Sequence, residues 1–162
     1  MKKSVSLDSK PKLRGDLTIV ITNVITGRQT RHHVRNTITY DGLNSALYLW
    51  AQDAITVTDY RIVKLVPGTN PTPPTRGDVS VIAPVLGADI NLTAPDRSIS
   101  PATGELIITG TLPQVSPANG STLTEVGLVL GNGQLFARQI HPAFLKQIAF
   151  TLTYSWRIAM TA

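Results

Sequence analysis

From residue 147 to residue 161 the chain alternates without a break. Ile148, Phe150, Leu152, Tyr154, Trp156, Ile158 and Met160 take the even positions, and Ala149, Thr151, Thr153, Ser155, Arg157, Ala159 and Thr161 take the odd ones. A strand sends successive side chains to opposite faces, so a period of two gathers every large apolar group on one side. A helix of the same residues would spread them around its whole circumference. The segment predicts a long strand with one face in a core, and such a strand needs partners.

Partners are plentiful. In residues 15–25, Leu17, Ile19 and Ile21 alternate with Thr18, Val20 and Thr22; Thr26-Gly27 then turns the chain into a returning strand over 28–35. Residues 122–130, the turn Gly131-Asn132-Gly133 and residues 134–140 make a second hairpin. Further strands are predicted over 59–66, over 79–90 with an interruption at Pro84, and over 104–112. Residues 67–78 hold four prolines and two glycines and read as a stiff surface loop, with another loop over 91–103. One helix is expected: Asp41 caps it, Leu43, Ala46, Leu47 and Trp50 form an apolar stripe, and it ends near Asp53. Eight or nine strands with a single short helix predict a mainly β chain, an antiparallel β-sandwich.

At 162 residues the chain is long enough to bury a core without staples, and with no cysteine it has no disulfide. Only 15% of its residues are charged, against roughly 25% in typical soluble domains, so much of the surface is neutral and suited to packing on other proteins. Its net charge of +5 is uneven: residues 1–35 carry eight basic and two acidic residues, the remainder seven and eight. The reading divides the chain into an extended basic arm, 1–14, and a sandwich domain, 15–162. Lys2, Lys3, Lys10, Lys12 and Arg14 of the arm are the expected partner-binding residues, aimed at an acidic surface. No aromatic residue interleaves them, which leaves nucleic acid the less favoured partner. The start lacks the apolar stretch of a signal peptide, and no run approaches the roughly 18 apolar residues of a membrane helix.

Chemistry is sparse. Phosphate-binding, dinucleotide-binding, nucleophile-elbow and zinc-protease motifs are missing. His32 and His33 are neighbours on a predicted strand and point to opposite faces, and His141 precedes a proline in a predicted loop. The only glutamates, Glu105 and Glu125, fall in predicted strands, a poor basis for paired-carboxylate hydrolysis. Arg14-Gly15-Asp16 and Arg76-Gly77-Asp78 repeat an adhesion tripeptide, but each is read as a loop turning into a strand. Asn91-Leu92-Thr93 and Asn119-Gly120-Ser121 match a glycosylation pattern and are read as turns. Trp50, Tyr48 and Trp156 could form a sugar platform; Trp156 on the apolar face and Trp50 on the helix stripe are expected in the core instead. Catalytic, cofactor and metal residues are therefore expected to number none.

The second half of the chain carries a resemblance. Thr124-Glu125-Val126-Gly127-Leu128, a glycine turn, Leu135-Phe136-Ala137-Arg138 and the long closing strand resemble small β-sandwich proteins of tailed bacteriophages, namely fibre-attachment, collar and baseplate domains and capsid cement proteins. Thr39-Tyr40-Asp41-Gly42-Leu43-Asn44 is similar to the helix start of such proteins, and Val66-Pro67-Gly68-Thr69 to the loop after their next strand, with Pro67 departing from the small residue usual there. The resemblance covers residues 36–161. It implies a virion component assembled in the host cytoplasm, docked on capsid, tail or neck subunits and homo-oligomeric, with a trimer favoured. It brings no catalytic residues.

Structural roles follow for the second hairpin. Val126, Leu128 and Leu130 alternate into the core, and Gly127 leaves room on the other face for a crossing strand or neighbour. Arg138 can pair with Glu125 across the hairpin, a register pin worth little if exposed. The function expected is an adaptor or clamp in a phage particle, anchoring fibres or cementing the capsid; the alternative is a carbohydrate-binding module for host-surface glycans.

Overall fold

A computed structural model describes residues 12–51 and 57–161. Nine strands form in chain order: β1 (Lys12–Asn23), β2 (Gln29–Ile38), β3 (Ile62–Gly68), β4 (Ile90–Asn91), β5 (Arg97–Ser100), β6 (Glu105–Leu112), β7 (Thr122–Leu130), β8 (Leu135–Leu145) and β9 (Phe150–Thr161). One α-helix, α1 (Tyr40–Ala51), lies between β2 and β3. The strands join into one sheet with the order β4-β3-β7-β8-β2-β1-β9-β6-β5, and every pairing is antiparallel. Mainly β, antiparallel, nine strands and one helix is the class that the alternation predicts.

The sheet curls until its two ends face each other. A Cβ added to Gly110 of β6 would run into side chains of Leu65 on β3 and Ile90 on β4, although these strands lie near opposite ends of the order. Arg97 of β5 ties the rims together by donating from Nη1 to the carbonyls of Ile62 at 3.1 Å and Leu92 at 3.0 Å. One core fills the curl. Leu17, Ile19, Leu65, Ile108, Leu123, Leu128, Leu152, Tyr154 and Trp156 are all buried in it. Full burial of each large apolar side chain contributes about 1.5–3 kcal/mol, so the alternating pattern of β1 and β9 directly drives closure. β1 and β9 pair along their whole length, from Lys12 opposite Thr161 to Asn23 opposite Phe150.

Several expectations change. The sheet starts at Lys12, so Lys12 and Arg14 belong to β1 and not to an arm ending at residue 14. Arg14-Gly15-Asp16 accordingly lies inside a strand, with Gly15 opposite Asn36 and Ile158, and not at a turn. Residues 79–90 do not form the expected strand: they contribute one bridge, Pro84 to Gly68, before β4 begins at Ile90. That stretch packs as a covering loop whose polar groups turn to side chains beneath it. The helix is capped by Thr39, whose Oγ1 accepts from the Gly42 amide at 3.1 Å, two residues before the expected cap at Asp41. Its buried face is Gly42 and Ser45 with Leu43 partly buried, because Gly42 presses on the Phe136 backbone; Leu47 is exposed. On β9 the core face holds from Leu152 to Ile158, while Met160 near its end is exposed, as is Ile148, which precedes the strand. The expected end of the helix at Asp53 falls outside the described residues.

Candidate functional site

The hairpin of β7 and β8 places Glu125 opposite Ile140 and Gly127 opposite Arg138. Alternation then sends Glu125 and Arg138 to the face turned away from the main core. There they meet: Arg138 Nε donates to Glu125 Oε2 at 2.6 Å, and both side chains are wholly buried. Both terminal nitrogens of the guanidinium are engaged as well. Nη1 donates to Asp78 Oδ2 at 2.9 Å and Nη2 to the Thr72 carbonyl at 2.9 Å. Glu125 accepts backbone N–H donors from Asn70 at 3.2 Å, Ala83 at 2.9 Å and Ile82 at 3.4 Å.

Every one of those outer partners belongs to the proline-rich segment between β3 and β4. The buried pair therefore fastens residues 70–83 onto the outside of β7 and β8. Asp78 is itself held in place by the Thr75 hydroxyl at 2.7 Å and the Thr75 amide at 3.1 Å. Burial works against its ionisation, but Thr75 and Arg138 outweigh that and keep its carboxyl below the usual range. The segment sits close. A Cβ on Gly127 would meet Val81 at 2.5 Å, so the neighbour for which Gly127 leaves room is the chain's own loop. Val66, Val81, Val129 and Leu135 make a second, smaller core under the loop. The expected Glu125–Arg138 pair is thus present, and its burial removes the solvent that would have made it weak.

Above this fastening the loop presents apolar side chains to solvent. Leu86 is 90% exposed and Val79 71%, with Ile82 beside them in sequence also exposed. A second apolar feature lies where α1 meets the sheet, a groove of about 400 Å³ lined by Leu13, Ala46, Leu49, Leu106 and Ile158 among others. Ile99 and Met160, both exposed, stand at its sides.

Another loop is fastened by a lysine. Lys146 is buried and donates from Nζ to Gln114 O at 3.0 Å, Asn119 Oδ1 at 2.8 Å and Gln147 O at 3.1 Å. Desolvation pushes its ammonium pKa down. No pattern around Lys146 in the sequence announces this, since its partners are two carbonyls and an amide. Asp78 was equally hidden, its role depending on a chain crossing that spacing does not encode.

The sequence-predicted site residues are distributed as follows. Lys2, Lys3 and Lys10 lie outside the described residues. Lys12 opens β1, and Arg14 is exposed on that strand. Trp50 lies in α1, and the core position expected for its indole falls outside the described residues. Trp156 is fully buried, so it and Tyr48, which is exposed and stacks on Tyr60 at 5.3 Å, do not share a platform. His33 faces outward, 3.7 Å from Asp16, and His32 faces the other way into a cleft. Among the described residues no group of three or more His, Asp or Glu side chains is arranged to hold a metal ion. No family model, curated protein or solved structure matches the chain.

Proposed function

We propose that this chain is a structural protein of a tailed-bacteriophage particle, an adaptor or clamp that docks on neighbouring subunits. The observation that carries the reading is the fastened apolar loop. Val79, Ile82 and Leu86 are held at the surface by a loop that Glu125, Arg138 and Asp78 anchor from below. Apolar groups fixed before a partner arrives lose little conformational freedom on binding, so most of their burial goes into affinity. Exposed patches of this kind mark protein contacts. The groove beside α1 gives a second contact on another part of the surface, as an adaptor joining two neighbours requires.

The resemblance of the β7–β8 hairpin and the helix start to small virion proteins supports the particle as the setting. In such a particle an interface of roughly 800 Å² per partner, repeated by symmetry, becomes effectively irreversible. The basic residues before β1 add an electrostatic contact with an acidic neighbour, and a homotrimer is the favoured assembly.

The experiment is incorporation. A chain carrying Val79→Asp and Leu86→Asp should fold, because both side chains are exposed, yet fail to enter particles when it replaces the natural chain. A second chain lacking residues 2–11, cut before β1 so that the sheet is untouched, should enter poorly. Normal incorporation of both would overturn the reading.

A further inference from the structure

β2 and β8 are neighbours in the sheet through two residue pairs alone, Thr37 opposite Arg138 and Ile38 opposite Ala137. Beyond them the strands part. Residues 29–36 of β2 are paired with β1 on one side, and Gln139, Ile140, Phe144 and Leu145 of β8 with β7 on one side. The cause lies in β8. Between Leu123 and Glu125 on β7, two residues of advance correspond to four on β8, from Phe144 to Ile140, so β8 bulges at His141, Pro142 and Ala143. A bulge bends its strand away from the ladder, and a proline removes a donor from it.

The parting opens a cleft of about 530 Å³, with Arg28, Thr30 and His32 on one side, Phe144 on the other, and Ile21 and Phe150 between them. Next to the last paired residues, Asn36 and Gln139, and His141 further along β8, each bury at least one polar side-chain atom that finds no partner among the described residues. The edge of β2 is a row of backbone groups ready for another strand.

We propose that this cleft takes an extended segment of another protein, added as a strand along β2, in which acidic and apolar residues alternate. The two faces of the sheet dictate that pattern. Arg31 and Arg35 stand opposite Val20 and Asp16 on the outward face, where acidic side chains of an added strand would lie beside them. Ile21, Phe144 and Phe150 face inward, where the alternate side chains would be buried. From Val24 to Tyr40 the chain has Arg28, Arg31, Arg35, His32 and His33 and no acidic residue. A second copy pairing edge to edge would bring these arginines together, and the chain has no acidic stretch of its own to offer, its nearest acidic pair in sequence being Asp53 and Asp59. The partner is therefore a different chain. This holds whether or not the protein belongs to a virion.

A capped octapeptide of alternating valine and glutamate is the probe, with a valine–lysine octapeptide as its control. Titrated into the full chain, the acidic peptide should bind and slow amide exchange along residues 29–36. Replacing both Arg31→Glu and Arg35→Glu, which are exposed and leave the core untouched, should weaken it by at least about tenfold. Equal binding of the lysine peptide, no binding of the acidic one, exchange unchanged at β2, or a dimer formed through this edge would each overturn the proposal.

Discussion

Arg138 and Glu125 face each other at 2.6 Å in a place from which water is excluded, and each guanidinium nitrogen and each carboxylate oxygen has a protein partner. Such a pair gains its stability from completeness. Removing one partner leaves the other buried and uncompensated, which costs about 3–5 kcal/mol. Arg138→Met keeps much of the volume and discards the charge. Its unfolding free energy, read from urea titration, should fall by an amount in that range, and the amides of Asn70 and Ala83 should exchange faster than those of β1. A loss below about 1 kcal/mol would show that the pair is reached by solvent after all.

The helix offers a purely steric test. Gly42 sits against the Phe136 backbone so closely that a methyl group has no room, and the obstacle is a carbonyl that β8 holds fixed. In most helices Gly→Ala is stabilising. Here Gly42→Ala should instead destabilise by about 1–3 kcal/mol, the usual cost of overpacking, read from thermal or urea unfolding.

His141 gives a dependence on pH. Burial pushes its pKa below the ordinary 6.5; a hydrogen bond to the Pro142 carbonyl and the charge of Glu125 oppose this, and His32 adds to it. The unfolded chain therefore takes up a proton at a higher pH than the folded one. Stability attributable to His141 is complete above pH 6.5 and declines as pH falls from there toward the lowered folded value, then levels. Unfolding measured across this interval should show the decline, and His141→Gln should flatten it.

Much of the sheet was legible because its strands are half-buried. β1 and β9 alternate, and alternation survives in a list of residues. The failure at 79–90 has a physical origin: Val79, Val81 and Val85 give strand-like spacing, but the segment makes its bonds to Glu125 and to scattered backbone groups instead of to a ladder. The helix face was misjudged for a related reason. Leu47 has the apolar character of a core residue, yet Gly42 and Ser45 permit the close approach to β8, and small residues carry no hydrophobic signal. At the candidate site, Glu125 and Arg138 could be paired from the hairpin register. Asp78, Thr72 and the loop amides could not, because they arrive by a crossing some fifty residues away in sequence, between Thr72 and Glu125.

The place of β9 has a consequence for how the molecule comes into being. It is made after every other described strand, yet it lies between β1, formed from the earliest described residues, and β6. Until it is synthesised, β1 and β6 each present a bare inner flank and the core has no Tyr154 or Trp156. The nascent chain must wait, its hairpins sticky and unjoined, and then close a loop that spans nearly its whole length. Folding of this kind is slow, and chaperone dependence during synthesis should exceed what the size of the finished protein suggests.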